Sequence, residues 1–151
     1  MKRDLFNNQI AEVRLSYSPR LKPSEMAQIV QSKEAENYFR TFFDDIDYRE
    51  SFKVMLLNQS NKILGVYNHT TGGQAGCVID IKMIVQSAIL SHAKGVILCH
   101  NHPSGNTQPS EADLRVTKEI KQALNYFEIS LLDHLIITPE HYNSLADNGD
   151  I

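Results

Sequence analysis

At 151 residues the chain is sized for one domain around one core. A net charge of −3, with 22% charged and 42% hydrophobic residues, lacks the basic surplus of a protein that binds by neutralising phosphates. No apolar run approaches the ~20 residues of a membrane span, and Cys77 and Cys99 form no C-x-x-C, so neither a disulfide scaffold nor an all-cysteine zinc site is implied.

The opening "MKRDLFNNQIAEVRL" lacks the apolar core of a signal peptide, so a cytoplasmic protein is expected. Val13, Leu15 and Tyr17 alternate in "EVRLSY" and predict a short strand, followed by a loop at "SPRLKPS". "SKEAENYFRTFFDD" predicts a helix, with Ser32 as cap, acids in the first turn and an apolar face of Ala35, Tyr38, Phe39, Phe42 and Phe43. "SFKVMLLN" and "KILGVYN" are strand-like runs around "QSN", which predicts a hairpin. In "TTGGQAG", Gly72, Gly73 and Gly76 fit neither phosphate-binding fingerprint, so a turn is expected. "DIKMIVQSAILSHA" predicts a helix capped by Asp80, with Ile81, Ile84, Val85, Ala88 and Ile89 inward. "KGVILCHNH" is apolar up to its histidines and predicts a central strand. A helix over "SEADLRVTKEIKQALNYF" turns Val116, Ile120, Ala123, Leu124 and Phe127 inward. "ISLLDHLIIT" predicts the last strand, and "PEHYNSLADNGDI" a short helical turn ending near Gly149. Together these predict an α/β fold with a mixed sheet sandwiched by helices. Residues 1–45 are expected to form an N-terminal extension, a strand and a helix packed on the core, ahead of a domain spanning 46–151.

The chemistry concentrates in "HNHPSGNTQPSEAD". Residues i and i+2 of a strand share a face, so His100 and His102 project together while Cys99 and Asn101 face away. Pro103 ends the strand. Ser110 is a good helix N-cap, and Asp113 falls at the third helical position, where the helix dipole favours an ionised carboxylate. Two neutral imidazoles and a carboxylate make a three-ligand set that suits zinc and leaves a fourth position open. No H-E-x-x-H is present, which excludes helix-borne zinc proteases. Asn101 and Ser104 could donate hydrogen bonds, and turn chemistry explains them as well. Asp133 and His134 are read as structural hydrogen-bonding residues in preference to supports of the ligands.

An upstream Glu, then H-x-H-P, then S-x-x-D resembles the JAMM (MPN-plus) metalloprotease motif. Within that superfamily "HNHPSG…PS…D…T", "LLDHLIIT" and "HYNSLADNG", spread from about Glu50 to Gly149, resemble the RadC family, historically labelled DNA repair proteins. The likeness extends to the short RadC-like proteins of Bacteroides-type bacteria. It implies a cytidine-deaminase-like, MPN-type architecture. It also implies zinc held by His100, His102 and Asp113, Ser110 stabilising a tetrahedral intermediate, and Glu50 as general base. Between Ser51 and Ser110 no other Glu occurs, and Asp80 is explained as a cap. The implied activity is hydrolysis of peptide or isopeptide bonds in a peptide or protein substrate. Longer RadC proteins carry a helix-hairpin-helix-like region, for which the opening here is too short and glycine-poor, so direct DNA binding is not expected. Two alternatives stand beside this. One is a repair or mobile-element module acting near nucleic acid with a non-proteolytic zinc site. The other is a metal-free scaffold, against which the complete ligand set argues.

Overall fold

A computed structural model describes residues 11–72 and 77–151. In chain order the elements are Ser32–Arg40 (α1), Ser51–Leu57 (β1), Ile63–Thr71 (β2), Ile81–Leu90 (α2), Gly95–Asn101 (β3), Glu111–Asn125 (α3), Ser130–Ile137 (β4) and Tyr142–Ser144 (β5). The strands form one mixed sheet in the order β2-β1-β3-β4-β5. β3 is its central strand, antiparallel to β1 and parallel to β4. β1 and β3 are buried along their whole lengths, as expected of unbroken apolar runs covered on both faces. The α/β reading, with a mixed sheet between helices, holds.

Strand alternation sorts the core into two layers. Phe52, Val54, Leu56, Val96 and Leu98 pack with Ile84 and Ala88 of α2 and Ile120 and Leu124 of α3. Met55, Leu57, Ile97, Cys99, Leu135 and Ile137 pack with Ala35 and Phe39 of α1 on the opposite face. Asp80 caps α2 by accepting from the Met83 N–H, as its sequence position predicts. β1 and β2 form the predicted hairpin, its turn closed by the Asn58 side chain accepting from Ser60 and Lys62 N–H.

Several expectations need correction. Ile89 and Phe127, expected inward, are 45% and 51% exposed, Phe127 because α3 ends at Asn125. "EVRLSY" is not a strand: its backbone joins no sheet, and Val13 and Leu15 are 85% and 84% exposed. α1 stops at Arg40, leaving Tyr38 and Phe42 largely outside the core while Ala35 and Phe39 fill it. Its N-cap is Gln31, whose N–H donates to Glu34; Ser32 instead donates to Asp147. The chain end forms β5 before its closing turn, because Asp133 accepts from Ser144 Oγ at 2.6 Å and from the Ala146 N–H at 3.0 Å. Of the glycine-rich loop, Gly73 and Gly76 lie outside the described residues.

Within α1, the buried Glu36 is paired with Lys33 and Arg40, and Arg40 also donates to the Thr138 and His141 carbonyls. Burial alone raises the Glu36 carboxyl, but hydrogen bonds and charge from Lys33 and Arg40 outweigh it and hold it below its ordinary value. A carboxyl lowered in the native state contributes stability that is complete above its unfolded value of about 4.3. That contribution is lost as pH falls through the lowered native value. Urea midpoints should therefore fall more steeply below about pH 4.3 for the wild type than for Glu36→Gln. Parallel slopes would contradict this role.

Candidate metal centre

The site lies where β3 ends and α3 begins. β3 carries His100 to the C-terminal end of the central strand, and Pro103 follows His102, ending strand pairing. The loop returns to Ser110, whose Oγ accepts from the Asp113 N–H at 3.0 Å while Asp113 Oδ2 accepts from the Ser110 N–H at 2.8 Å. This reciprocal capping box fixes the Asp113 rotamer and turns its carboxylate back towards the histidines. One ligand atom each from His100, His102 and Asp113 lies within 4.8 Å of the others. The two Nε2 atoms are 2.9 Å apart, and each is 3.4 Å from a carboxylate oxygen of Asp113. Donors at zinc-ligand distances in a tetrahedral array are separated by about 3.3 Å, so the set needs little rearrangement to close on an ion.

The remaining ring nitrogens decide whether the donors suit a metal. His102 Nδ1 faces the Asn106 carbonyl at 2.7 Å and must donate to it, which leaves Nε2 with a lone pair. His100 Nδ1 lies 2.8 Å from Nε2 of the fully buried His134. Burial works against the Asp113 charge, but the adjoining His100 and His102 rings and the Ser110 N–H hold its carboxyl far below the ordinary range. Asp113 in turn raises His102. An ionised carboxylate beside two imidazole lone pairs fits a divalent cation, and among the described residues no fourth His, Cys, Asp or Glu joins the cluster.

Glu50 precedes β1 and is partly buried. It shares the face of Phe52, whose ring stacks on His100 at 6.0 Å between centroids, so it belongs to the same side of the sheet as the cluster. Among the described residues its carboxylate makes no hydrogen bond, and its charge lies close enough to raise His102. Asn101, on the opposite face as predicted, holds this segment. It accepts from the Ser51 N–H at 2.8 Å and donates to the Ile46 and Arg49 carbonyls at 2.9 and 2.8 Å. Turn chemistry does not account for Asn101; it positions the backbone on both sides of Glu50. Asp133 is structural, as read from the sequence, and burial raises its carboxyl. For His134 the contact with His100 favours the other alternative, support of a ligand, over a purely structural role.

A mixed sheet with its central strand ending in His-x-His, beside a helix that opens on an Asp, defines a JAB/MPN-type domain, a metallohydrolase fold that is typically metal-dependent. A family model described as "RadC-like JAB domain" matches residues 29–150, and the chain belongs to that family. It is 38% identical over 125 residues to a UPF0758 protein of Flavobacterium johnsoniae, covering 83% of this chain and 54% of that one. A UPF0758 protein of Salinibacter ruber is 37% identical over 127 residues, 84% of this chain and 54% of its own. One from Porphyromonas gingivalis is 36% identical over 139 residues, 89% and 61%. The chain thus spans about half the length of the curated relatives it matches. Among the described residues no helix is long and apolar enough to cross a membrane.

Proposed function

We propose that this chain is a zinc-dependent hydrolase of peptide or isopeptide bonds, with His100, His102 and Asp113 as ligands and Glu50 as general base. The observation that carries this reading is the convergence of two imidazole lone pairs and an ionised carboxylate with no fourth clustered ligand among the described residues. The chemistry a bound zinc ion supplies is Lewis acidity, which brings the pKa of water to about 7 and polarises a carbonyl. Glu50 takes the proton of the attacking water as its oxygen bonds to the carbonyl carbon. It then passes that proton to the amine nitrogen as the C–N bond breaks. Ser110 Oγ spends a lone pair on the Asp113 N–H, so its O–H is free to donate to the oxyanion. Glu50, His102 and Asp113 are each partly exposed, which leaves the site reachable by an extended chain. The substrate class is a peptide or protein.

The test is metal content of the purified protein with profiling against peptide and isopeptide libraries. The expected result is bound zinc and cleavage that chelation abolishes and zinc restores. A zinc-replete protein that cleaves neither class but binds DNA in a salt-dependent way would replace this reading with the nucleic-acid-associated one.

A further inference from the structure

We propose that His134 and Thr117 are positioning residues that lock His100 in its Nδ1–H tautomer and so keep its Nε2 lone pair aimed at the metal. The inference rests on reading the cluster as a metal centre, but not on the bond that is cleaved.

Thr117 and His134 are fully buried. Thr117 lies one helical turn beyond Asp113, and its Oγ1 donates to the Asp113 carbonyl at 2.6 Å. That hydroxyl proton is committed, so Oγ1 meets His134 Nδ1, 2.6 Å away, as an acceptor. His134 must then carry its proton on Nδ1. The nitrogens of the fully buried ring meet only Thr117 Oγ1 and His100 Nδ1, with no carboxylate against the ring to offset a buried charge, so the ring is neutral and Nε2 bears the lone pair. That lone pair faces His100 Nδ1 at 2.8 Å and requires a proton there, which leaves His100 Nε2 free. Reversing the chain of donors would set the Thr117 oxygen against the Asp113 carbonyl at 2.6 Å with no proton between them, and would put a proton on the nitrogen that faces the metal. One orientation satisfies every contact along the chain from the Asp113 carbonyl through Thr117 and His134 to His100 Nδ1, and leaves the converging Nε2 lone pairs of His100 and His102 for a cation. Metal-binding histidines generally need such a partner to fix their tautomer.

The sheet is built to deliver His134 there. Val96 pairs with Leu131 but Ile97 pairs with Asp133, so Leu132 is an extra residue in β4. Without that offset, His134 would take the face of Leu135's neighbours against α1, away from His100. With it, His134 follows Leu98 on the α3 side, edge-on to Phe52 at 5.6 Å. Gly95 makes room for the bulge: a Cβ there would lie 2.7 Å from Leu132 Cδ1.

The experiment is histidine-ring nitrogen NMR of the metal-free full chain, together with zinc affinity by chelator competition. In the wild type both His100 and His134 should be Nδ1–H tautomers. Thr117→Val keeps the side-chain volume but removes the acceptor for His134 Nδ1–H. It should shift His100 towards Nε2–H and weaken zinc binding roughly 10–100-fold. Thr117→Ser should restore both. An Nε2–H tautomer at either ring in the wild type overturns the proposal, as does a folded Thr117→Val protein in which either readout is unchanged. The wild-type spectrum decides even if the Val variant fails to fold. A wild type with the expected tautomers and Thr117 dependence that cleaves no peptide removes the hydrolase reading and leaves the relay standing.

Discussion

Glu50→Gln is expected to lower kcat/KM by ~10²–10⁴-fold, the usual worth of general base catalysis, while zinc affinity stays at the wild-type level. Gln keeps the shape of the side chain but has no oxygen basic enough to take a proton from water. Glu50 lies outside the His100, His102 and Asp113 cluster, so its loss removes no ligand. Its backbone is held independently of its carboxylate: the Glu50 carbonyl accepts from the Gly72 N–H at 2.8 Å and the Ser51 N–H donates to Asn101 at 2.8 Å. A fall in turnover therefore reports the proton transfer and not a displaced strand. Stopped assays on a cleavable peptide, beside chelator competition for zinc, separate the two effects. Equal rates for wild type and variant would remove Glu50 from the mechanism.

Most of the site is local in sequence, and for that reason it could be read before any fold was known. His100 and His102 share a face through strand alternation alone, and Asp113 joins them through a short loop and a helix cap. The same locality made the hairpin, α2 and β3 legible. Errors arose where tertiary contacts decide. Val13 and Leu15 alternate like a strand, yet no neighbouring strand pairs with them. β5 forms because Asp133, eleven residues before Ser144, anchors the chain end. His134 is the instructive case. Its role depends on one extra residue, Leu132, that shifts which face the strand presents, and a register shift against a partner strand leaves no mark in the sequence of either strand. Strand alternation fixes the face of Asn101, but its targets at Ile46 and Arg49 come from a distant segment.

Removing a ligand should have a different signature from removing the base. His100→Ala, His102→Ala and Asp113→Ala are each expected to lose stoichiometric zinc and turnover together, because two remaining protein ligands fall short of the three that hold a catalytic zinc ion. Stability gives a second readout. Zinc that binds only the native state stabilises it by about 2.7 kcal/mol at a hundredfold excess over its Kd, so the wild-type Tm should rise with added zinc and the variants' should not. The three variants should differ from one another without metal. His102 is half-buried, with its outer nitrogen bonded to Asn106, so His102→Ala loosens little more than the loop. Asp113→Ala also removes the acceptor of the Ser110 N–H and half of the α3 capping box, at a further cost of about 1 kcal/mol. His100→Ala leaves the buried His134 Nε2 without its 2.8 Å partner, a desolvation cost of about 1–3 kcal/mol. Metal-free denaturation should therefore rank His102→Ala as the most stable of the three. A His102→Ala protein that retains stoichiometric zinc and a zinc-dependent Tm would show that the ion is held by some other set of atoms.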